Sequence, residues 1–256
     1  MSDEQVQPVA EETPGLTQWQ RVTNTFTAPS KTFEDIKRGN RSWWLPFLIT
    51  ALFGAFLWGT IAKEVTWQGV YENSQRVMPE YAKRMMENMT PEQRAERDRK
   101  GPISQEITWA LSPLGLLIIN VASAGVLLLT INFVFGGKAK FGSILAVTWY
   151  AGLVLWPLRL FLAGVALWAG EQAESFNMQN PAPTNIAAIF LSQQDTQPAI
   201  YMLLTYLDVL SIWCLVLTAI GIANVACVKR SYGYIAVFGW WAIICLFGIG
   251  MTAAFS

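Results

Sequence analysis

The sequence contains no histidine, and charged residues make up only 14% of its 256 positions. Histidine is the side chain most often used for proton transfer near neutral pH and for binding transition metals. We therefore expect a protein that is not an enzyme, with no catalytic residue, no cofactor and no metal site. Cysteine is also scarce: its three residues lie in apolar stretches without a CxxC pair, which favours small buried side chains over a disulfide framework or a metal site. They are Cys214, Cys227 and Cys245.

The sequence also lacks an excess of positive or negative charge, because 18 basic residues balance 18 acidic ones. This balance gives no indication of nucleic acid as a partner. The first residues, MSDEQVQPVAEETPG, also lack the basic and then apolar order of a cleaved signal peptide. We expect residues 1–15 to be a disordered acidic tail and the first apolar run to act as an uncleaved insertion signal.

Hydrophobic residues are abundant at 53%, which is the composition of a membrane protein. A helix needs roughly 20 apolar residues to cross a bilayer, and several runs reach that length. The sequence predicts an all-α polytopic bundle of five transmembrane helices, with an amphipathic N-terminal helix and a short helical extramembrane insertion. The five-span domain is expected over 43–256. Its spans are predicted at about 44–62, 111–135, 141–170, 200–228 and 234–254.

Small residues and a proline add detail to two of these spans. Ala51, Ala55 and Gly59 are spaced by four, which predicts a smooth face on the first span where another helix can approach closely. Pro157 lies within the third run, and its missing N–H predicts one bent or tilted helix there.

The segment 16–42 is predicted to be a cytoplasmic amphipathic segment. Leu16, Trp19, Val22 and Phe26 recur at helical spacing, with polar residues between them. Such a helix can lie at the lipid headgroups or pack on the cytoplasmic end of its own bundle, and the sequence leaves both alternatives open.

The segment 63–106 is a polar insertion between the first two spans. Thr90-Pro-Glu-Gln93 is a capping box with proline at the first helical position, so a helix is predicted from about Pro91 to Lys100, ended by Gly101-Pro102. A second helix is predicted from Pro79 to Asn88. Its apolar edge can dock on the bundle, rest on lipid or bind a partner.

Interfacial tryptophans and lysine or arginine in the short loops predict the orientation of the chain. Trp43 and Trp44 mark a membrane–water boundary before the first span, and two basic turns follow the second and fourth spans. With five spans, this pattern predicts a cytoplasmic N-terminus and an external C-terminus. The insertion 63–106 disagrees, since it carries eight basic residues, balanced by eight acids. The basic turns are Lys138 with Lys140 and Lys229 with Arg230.

Two ionisable residues fall deep inside predicted spans. Arg159 and Asp208 lie roughly 16 and 12 Å from the same outer ends at 1.5 Å per residue. A single charge at that depth costs several kcal/mol, about 2.5–3.5 on insertion scales, so we predict an intramembrane ion pair. Such a pair can fix the docking of two helices or line a wet cavity, and both interpretations stay open.

Three segments together resemble one family. FTAPSKTFEDIKRGNRSWWLPFLI, GGKAKFGSILAVTWYAGLVLWP and LDVLSIWCLVLTAIGIANVACVKRSYGYIAV are similar, in this order, to bacterial members of the Yip-one domain family of Ypt/Rab-interacting integral membrane proteins. The resemblance runs from about residue 19 to the C-terminus. It implies five spans, a cytoplasmic N-terminus and, in eukaryotic members, a role in vesicle traffic through small GTPases. Those members carry an Asp-Leu-Trp-Gly-Pro type motif; here only Trp44-Leu45-Pro46 stands in that place, which does not support GTPase binding.

These observations favour a non-enzymatic protein of a bacterial inner membrane that organises the membrane or acts as a protein-interaction scaffold. Its expected partners are the lipid bilayer and other membrane proteins or further copies of itself. The alternative function is a small transporter or channel that uses Arg159 and Asp208.

Overall fold

The structure, a computed structural model, describes residues 15–170, 173–174, 176–178, 180–193 and 195–255. The tail predicted to be disordered lies outside these residues, apart from Gly15. In the described part of the chain the regular structure is helical, with no β-strand and one isolated β-bridge. The first seven helices are α1 (Gln18–Thr27), α2 (Pro29–Lys37), α3 (Trp44–Glu64), α4 (Trp67–Arg76), α5 (Glu80–Glu87), α6 (Pro91–Ala110) and α7 (Ser112–Leu129). The others are α8 (Phe141–Gly152), α9 (Trp156–Trp168), α10 (Ile186–Phe190), α11 (Pro198–Tyr206), α12 (Val209–Val225) and α13 (Arg230–Phe255).

Helix α8 is the centre of the molecule, because every residue from 143 to 154 is buried. A helix that is buried on all sides is expected to be mainly apolar, and this one is. Its two buried polar residues are hydrogen-bonded: Ser143 accepts from Arg41 Nε at 3.1 Å, and Thr148 donates to the carbonyl of Leu145 at 2.9 Å. Helices α2, α7 and α12 surround it and share its core. The largest buried side chains of this inner core are Trp149, Tyr150, Phe33, Ile36, Ile144 and Ile222.

The third predicted span is two helices, since the chain turns at residues 153–155 between α8 and α9. Pro157 is the second residue of α9, a position where its missing N–H leaves no hydrogen bond unmade. Helix α9 then packs on α3 and starts a separate outer core. Its buried members include Leu57, Ile61, Val65, Val70, Ala163, Leu167 and Phe176.

The close approach of α3 and α9 does not use the small-residue face predicted for the first span. Ala55 and Gly59 are exposed, and a Cβ built on Gly59 would meet nothing within 4 Å. The small residue at the crossing is on the other helix, where the ring of Phe56 lies against Gly164 and leaves no room for a Cβ. The spacing of small residues in the sequence therefore does not indicate which helix carries the small residue at this crossing.

The fourth predicted span is also broken. Helices α11 and α12, of 9 and 17 residues, are separated by Leu207 and Asp208. The single helix α13 runs beside both of them. It crosses α12 closely at Gly233, whose missing side chain lets the backbone carbonyl of Ala219 approach.

The insertion between the first two spans differs from its prediction in two ways. An additional helix, α4, packs against α6, and α6 continues through Gly101 and Pro102 to Ala110. The predicted stop at Gly101-Pro102 is therefore wrong. Its glycine is used for packing instead, because the ring of Tyr71 lies directly against Gly101. The hydroxyl of Tyr71 donates to Asp98 Oδ1 at 2.9 Å, and burial raises the pKa of Tyr71 above its usual 10.0.

Among the described residues, four helical segments are long and apolar enough to cross a membrane, and one of them is α8 and α9 taken together across their turn. They are Trp44–Glu64, Ser112–Val134, Phe141–Trp168 and Arg230–Ala254, and the second of them ends in a π-helical turn, Thr130–Val134. Helix α12 is apolar but shorter.

Candidate functional site: the ion pair at the broken helix

Arg159 and Asp208 lie side by side, with Arg159 Nη2 at 2.8 Å from Asp208 Oδ2. The side chain of Asp208 is 1% exposed and that of Arg159 is 24% exposed. Two opposite charges at this separation satisfy each other where few water molecules can reach them. Nη2 of Arg159 also lies 3.3 Å from the hydroxyl of Ser211, to which it donates.

The carboxylate of Asp208 is held in place by α12 and by the loop before α10. Its Oδ1 accepts a hydrogen bond from the backbone N–H of Ser211 at 2.7 Å, so Asp208 is the N-cap of α12. Its Oδ2 also accepts from the hydroxyl of Thr184. The backbone of Asp208 pairs with that of Asn185 in the isolated β-bridge. The break in the fourth predicted span is therefore filled by protein hydrogen bonds.

The ion pair joins the two cores of the molecule. Arg159 is carried by α9, whose buried face belongs to the outer core, whereas α12 contributes to the inner core. After the turn that precedes it, α9 packs against α3, and the guanidinium of Arg159 contacts Asp208 on the side of α12. Since the charges cancel and arginine keeps its proton, the arrangement is suited to fixing two helices more than to transferring protons.

A polar cleft of about 470 Å³ opens near the pair, between α4 and the loop before α10. Asn180 connects the two features: its Oδ1 accepts from Asn185 Nδ2 at 2.7 Å, and its Nδ2 donates to the hydroxyl of Tyr201 at 3.2 Å. Several other amide and charged groups line the cleft, namely Asn73, Arg76, Glu174, Asn177 and Gln193.

The basic residues that predict the orientation of the chain in the membrane lie on exposed surface. Lys138, Lys140, Lys229 and Arg230 are all exposed. The backbone N–H of Lys138 donates to the carbonyl of Ala226 at 3.2 Å, so the two basic turns are neighbours. The side chain of Asn132 fixes the first turn by bonding both the N–H and the C=O of Ala139 at 3.0 Å.

The two predicted interfacial tryptophans have different surroundings. Trp44 is exposed, as an interfacial side chain is expected to be. Trp43 is half-buried and stacks on Trp149, with ring centroids 5.8 Å apart and an interplanar angle of 14°. It therefore also contributes to packing at the start of α3.

Sequence reasoning missed a buried polar network in the N-terminal hairpin formed by α1 and α2. Arg21 is 1% exposed, and its guanidinium donates to the backbone carbonyls of Asn40 and Ser42 at 3.0 and 3.2 Å. Its guanidinium carbon also lies 5.1 Å from the centroid of the Tyr150 ring. The hydrogen bonds tie α1 to the loop after α2, and the ring contact joins the hairpin to α8.

Polar residues occupy the buried side of α1, and the choice between a helix at the lipid headgroups and a helix packed on the bundle stays a prediction. Trp19 and Phe26, part of the predicted apolar face, are exposed, whereas Arg21 and Thr25 are buried. The signal that could have revealed this is the four-residue spacing of Arg21 and Thr25, two polar residues on one side of the helix. Helix α2 follows the ordinary rule, since Phe33 and Ile36 enter the inner core.

These features define the class of the protein as a helical integral membrane protein. A family model described as the Yip1 domain matches residues 23–252, and the chain belongs to that family. Yip1 is a family of non-enzymatic membrane proteins that interact with other proteins and with membranes. Neither a search of curated proteins nor a search of solved structures found a match.

Proposed function

We propose that this Yip1-family protein is a membrane-organising or protein-interaction scaffold of a bacterial inner membrane. In this proposal the chain crosses the bilayer five times, with its N-terminus in the cytoplasm and its C-terminus outside. The fifth crossing is supported by α11 and α12, which both pack against α13. The exposed basic turns support the cytoplasmic placement of their end.

One observation supports the scaffold function: an exposed apolar stripe extends from a candidate membrane span onto the helix before it. Helix α6 continues into α7 across Leu111, and large apolar side chains recur every three or four residues along the joined helices. Lipid can cover the part on α7, but the part on α6 extends beyond that candidate span. A contiguous exposed apolar surface of this kind is typical of a protein-binding site. The stripe consists of Ile103, Ile107, Leu111, Leu114 and Ile118.

Photo-crosslinking in intact membranes tests this function. A photoreactive amino acid is placed at Ile107 of the full-length protein, with a matched probe at Glu92, which is exposed at the start of the same helix. We expect a discrete protein adduct from position 107 and none from position 92. The adduct should disappear when Ile103→Asp is added, because a charge in the stripe opposes apolar contact.

Equal adducts from both positions, or adducts to lipid only, would contradict the scaffold function. An adduct that survives Ile103→Asp would also count against the stripe as the binding surface. Expression and membrane insertion of each variant are checked first by detergent extraction and size-exclusion chromatography.

The second candidate function is transport, and the broken fourth span favours it. Transporters place ion and substrate sites at discontinuous helices, and Asp208 lies at such a break opposite Arg159. The test is ion or solute flux into proteoliposomes containing wild-type or Asp208→Asn protein. Uptake that depends on Asp208 would favour transport over the scaffold. Equal flux from both proteins and from empty liposomes would exclude it for the solutes assayed.

A further inference from the structure

A lateral apolar cleft of about 570 Å³ lies between α3 and α7. Both helices belong to candidate membrane spans, so this cleft lies at the depth of lipid. Helix α9 forms its floor through Trp156 and Leu160. The walls are mainly apolar, with Phe47 on α3 and Ile119 on α7.

Glycines on both walls keep the cleft open. A Cβ built on Gly54 of α3 or on Gly115 of α7 would meet nothing within 4 Å. These glycines therefore do not serve a close helix crossing, in contrast to Gly164, which lies against Phe56. Protein interiors are close-packed, so a gap of this size between spanning helices is a place where a surrounding apolar molecule can pack.

The chemistry of the walls excludes water as the main occupant. A cavity lined by apolar side chains does not hold ordered water unless several polar partners are present. Thr50 is one of the few polar residues in the cleft, and its hydroxyl already donates to the carbonyl of Pro46 at 2.9 Å. The central part of the cleft therefore offers little hydrogen bonding to a solvent molecule.

A hydrocarbon chain suits this cleft, because it is flexible enough to follow an irregular apolar surface. It is also the commonest material around the protein at the depth of the candidate spans.

The remaining polar groups of the cleft lie together at one end. Thr108 and Ser112 flank the junction of α6 and α7, beside the indole of Trp109. Hydroxyl and indole groups at a membrane boundary match the polar end of an amphiphile. We propose that this cleft binds one acyl chain of a membrane lipid, with the polar end of that lipid at Thr108 and Ser112 and the chain directed towards Phe47.

Filling the cleft tests the proposal. Gly115→Leu and Gly54→Leu each add a side chain to a wall of the cleft, at positions where a Cβ meets nothing within 4 Å. Gly239→Leu is the matched control, because Gly239 is also helical and unobstructed but does not line the cleft. Purified variants are stripped of lipid in detergent, incubated with palmitoyl-oleoyl-phosphatidylethanolamine and examined by native mass spectrometry.

We expect wild-type protein and Gly239→Leu to retain one lipid per chain, and both cleft variants to lose at least fivefold in occupancy. Gly115→Ala, which fills less space, should give a smaller loss. Unchanged lipid occupancy in the folded cleft variants would overturn the proposal. A dimer that dissociates in these variants while lipid occupancy stays constant would also overturn it, because the occupant would then be a second copy of the chain. Folding of each variant is verified by its elution volume and thermal unfolding.

Discussion

Arg21 and Asp35 face each other across the N-terminal hairpin, with Nε and Oδ2 3.5 Å apart and both side chains at most 5% exposed. The carboxylate also accepts from the backbone N–H of Leu16 at 2.9 Å and from Asn40 Nδ2 at 3.0 Å. A buried pair with this many partners fixes one arrangement of the hairpin, because any other arrangement leaves a charge without compensation.

The first prediction concerns this pair. Arg21→Met should lower the free energy of unfolding by about 3–5 kcal/mol, since it leaves Asp35 buried and unpaired. Adding Asp35→Leu should recover a large part of that loss. Unfolding in mixed detergent, followed by circular dichroism, measures both changes. Lys31→Ala serves as the control, because Lys31 is exposed on α2 and should change stability by less than about 0.5 kcal/mol. Equal effects of Arg21→Met and Lys31→Ala would contradict the role of the buried pair.

The second prediction separates the two structural roles of Asp208. Asp208→Ala removes both the cap of α12 and the partner of Arg159, so it should destabilise the protein by about 3–5 kcal/mol. Asp208→Asn keeps a side-chain oxygen for the cap, which is worth about 1 kcal/mol, and should be milder by that amount. The same unfolding assay ranks the two variants. If they are equally destabilised, the hydrogen bond to Ser211 does not contribute to stability.

The third prediction compares two glycines of α13. Gly233→Ala should destabilise the protein by about 1–3 kcal/mol, because the new methyl group would meet the carbonyl of Ala219. Gly239→Ala should be neutral or stabilise by up to about 1 kcal/mol, since alanine is the better helix former and this site is open. Thermal unfolding of the two purified variants measures the difference. A loss of the same size at both positions would mean that the close approach of α12 and α13 is not restrictive.

The fourth prediction uses pH on the extramembrane insertion. The neutral hydroxyl of Tyr71 is favoured in the folded protein, chiefly by burial and then by its hydrogen bond to Asp98. Its pKa is therefore higher folded than unfolded, so its contribution to stability is complete below pH 10.0 and is lost as pH rises above that value. Tyr71→Phe should cost about 1 kcal/mol at neutral pH.

The unfolding free energy of wild-type protein should also fall more steeply above pH 10.0 than that of Tyr71→Phe. Parallel pH profiles for the two proteins would show that ionisation of Tyr71 is not coupled to folding. Because the other tyrosines are present in both proteins, the difference between the profiles isolates Tyr71.

Apolar run length predicted where the long helices lie, but not where they break. The run 200–228 is apolar almost throughout, and Asp208 is its only acid. The structure ends one helix there and starts another because Asp208 caps α12 and accepts from Thr184, a residue of the preceding loop. A tertiary hydrogen bond of this kind leaves no local signal. The similar depths of Arg159 and Asp208 in neighbouring predicted spans, in contrast, predict that the two residues pair.

Apolar spacing does not indicate a buried face that carries polar residues. In α1 the buried side includes Arg21, which donates to the backbone of the loop after α2, so a search for apolar spacing selects a different side of the helix. In α6 the pair Gly101-Pro102 predicts the end of a helix, which is the usual effect of these two residues. Packing of Tyr71 on Gly101 and the continuation of α6 into α7 outweigh that local preference.

The burial of α8 from residue 143 onwards has a consequence for the order in which the protein assembles. Its residues emerge from the ribosome well before those of α12, which cover a large part of its surface. Until α12 has inserted, that surface must face lipid or the insertion machinery. Because it is apolar, lipid solvates it at little cost, and helix association in a bilayer is not driven by hiding such a surface. Assembly around α8 can therefore wait for synthesis to finish, and the N-terminal hairpin, although translated first, can dock only after both α8 and α12 are in place.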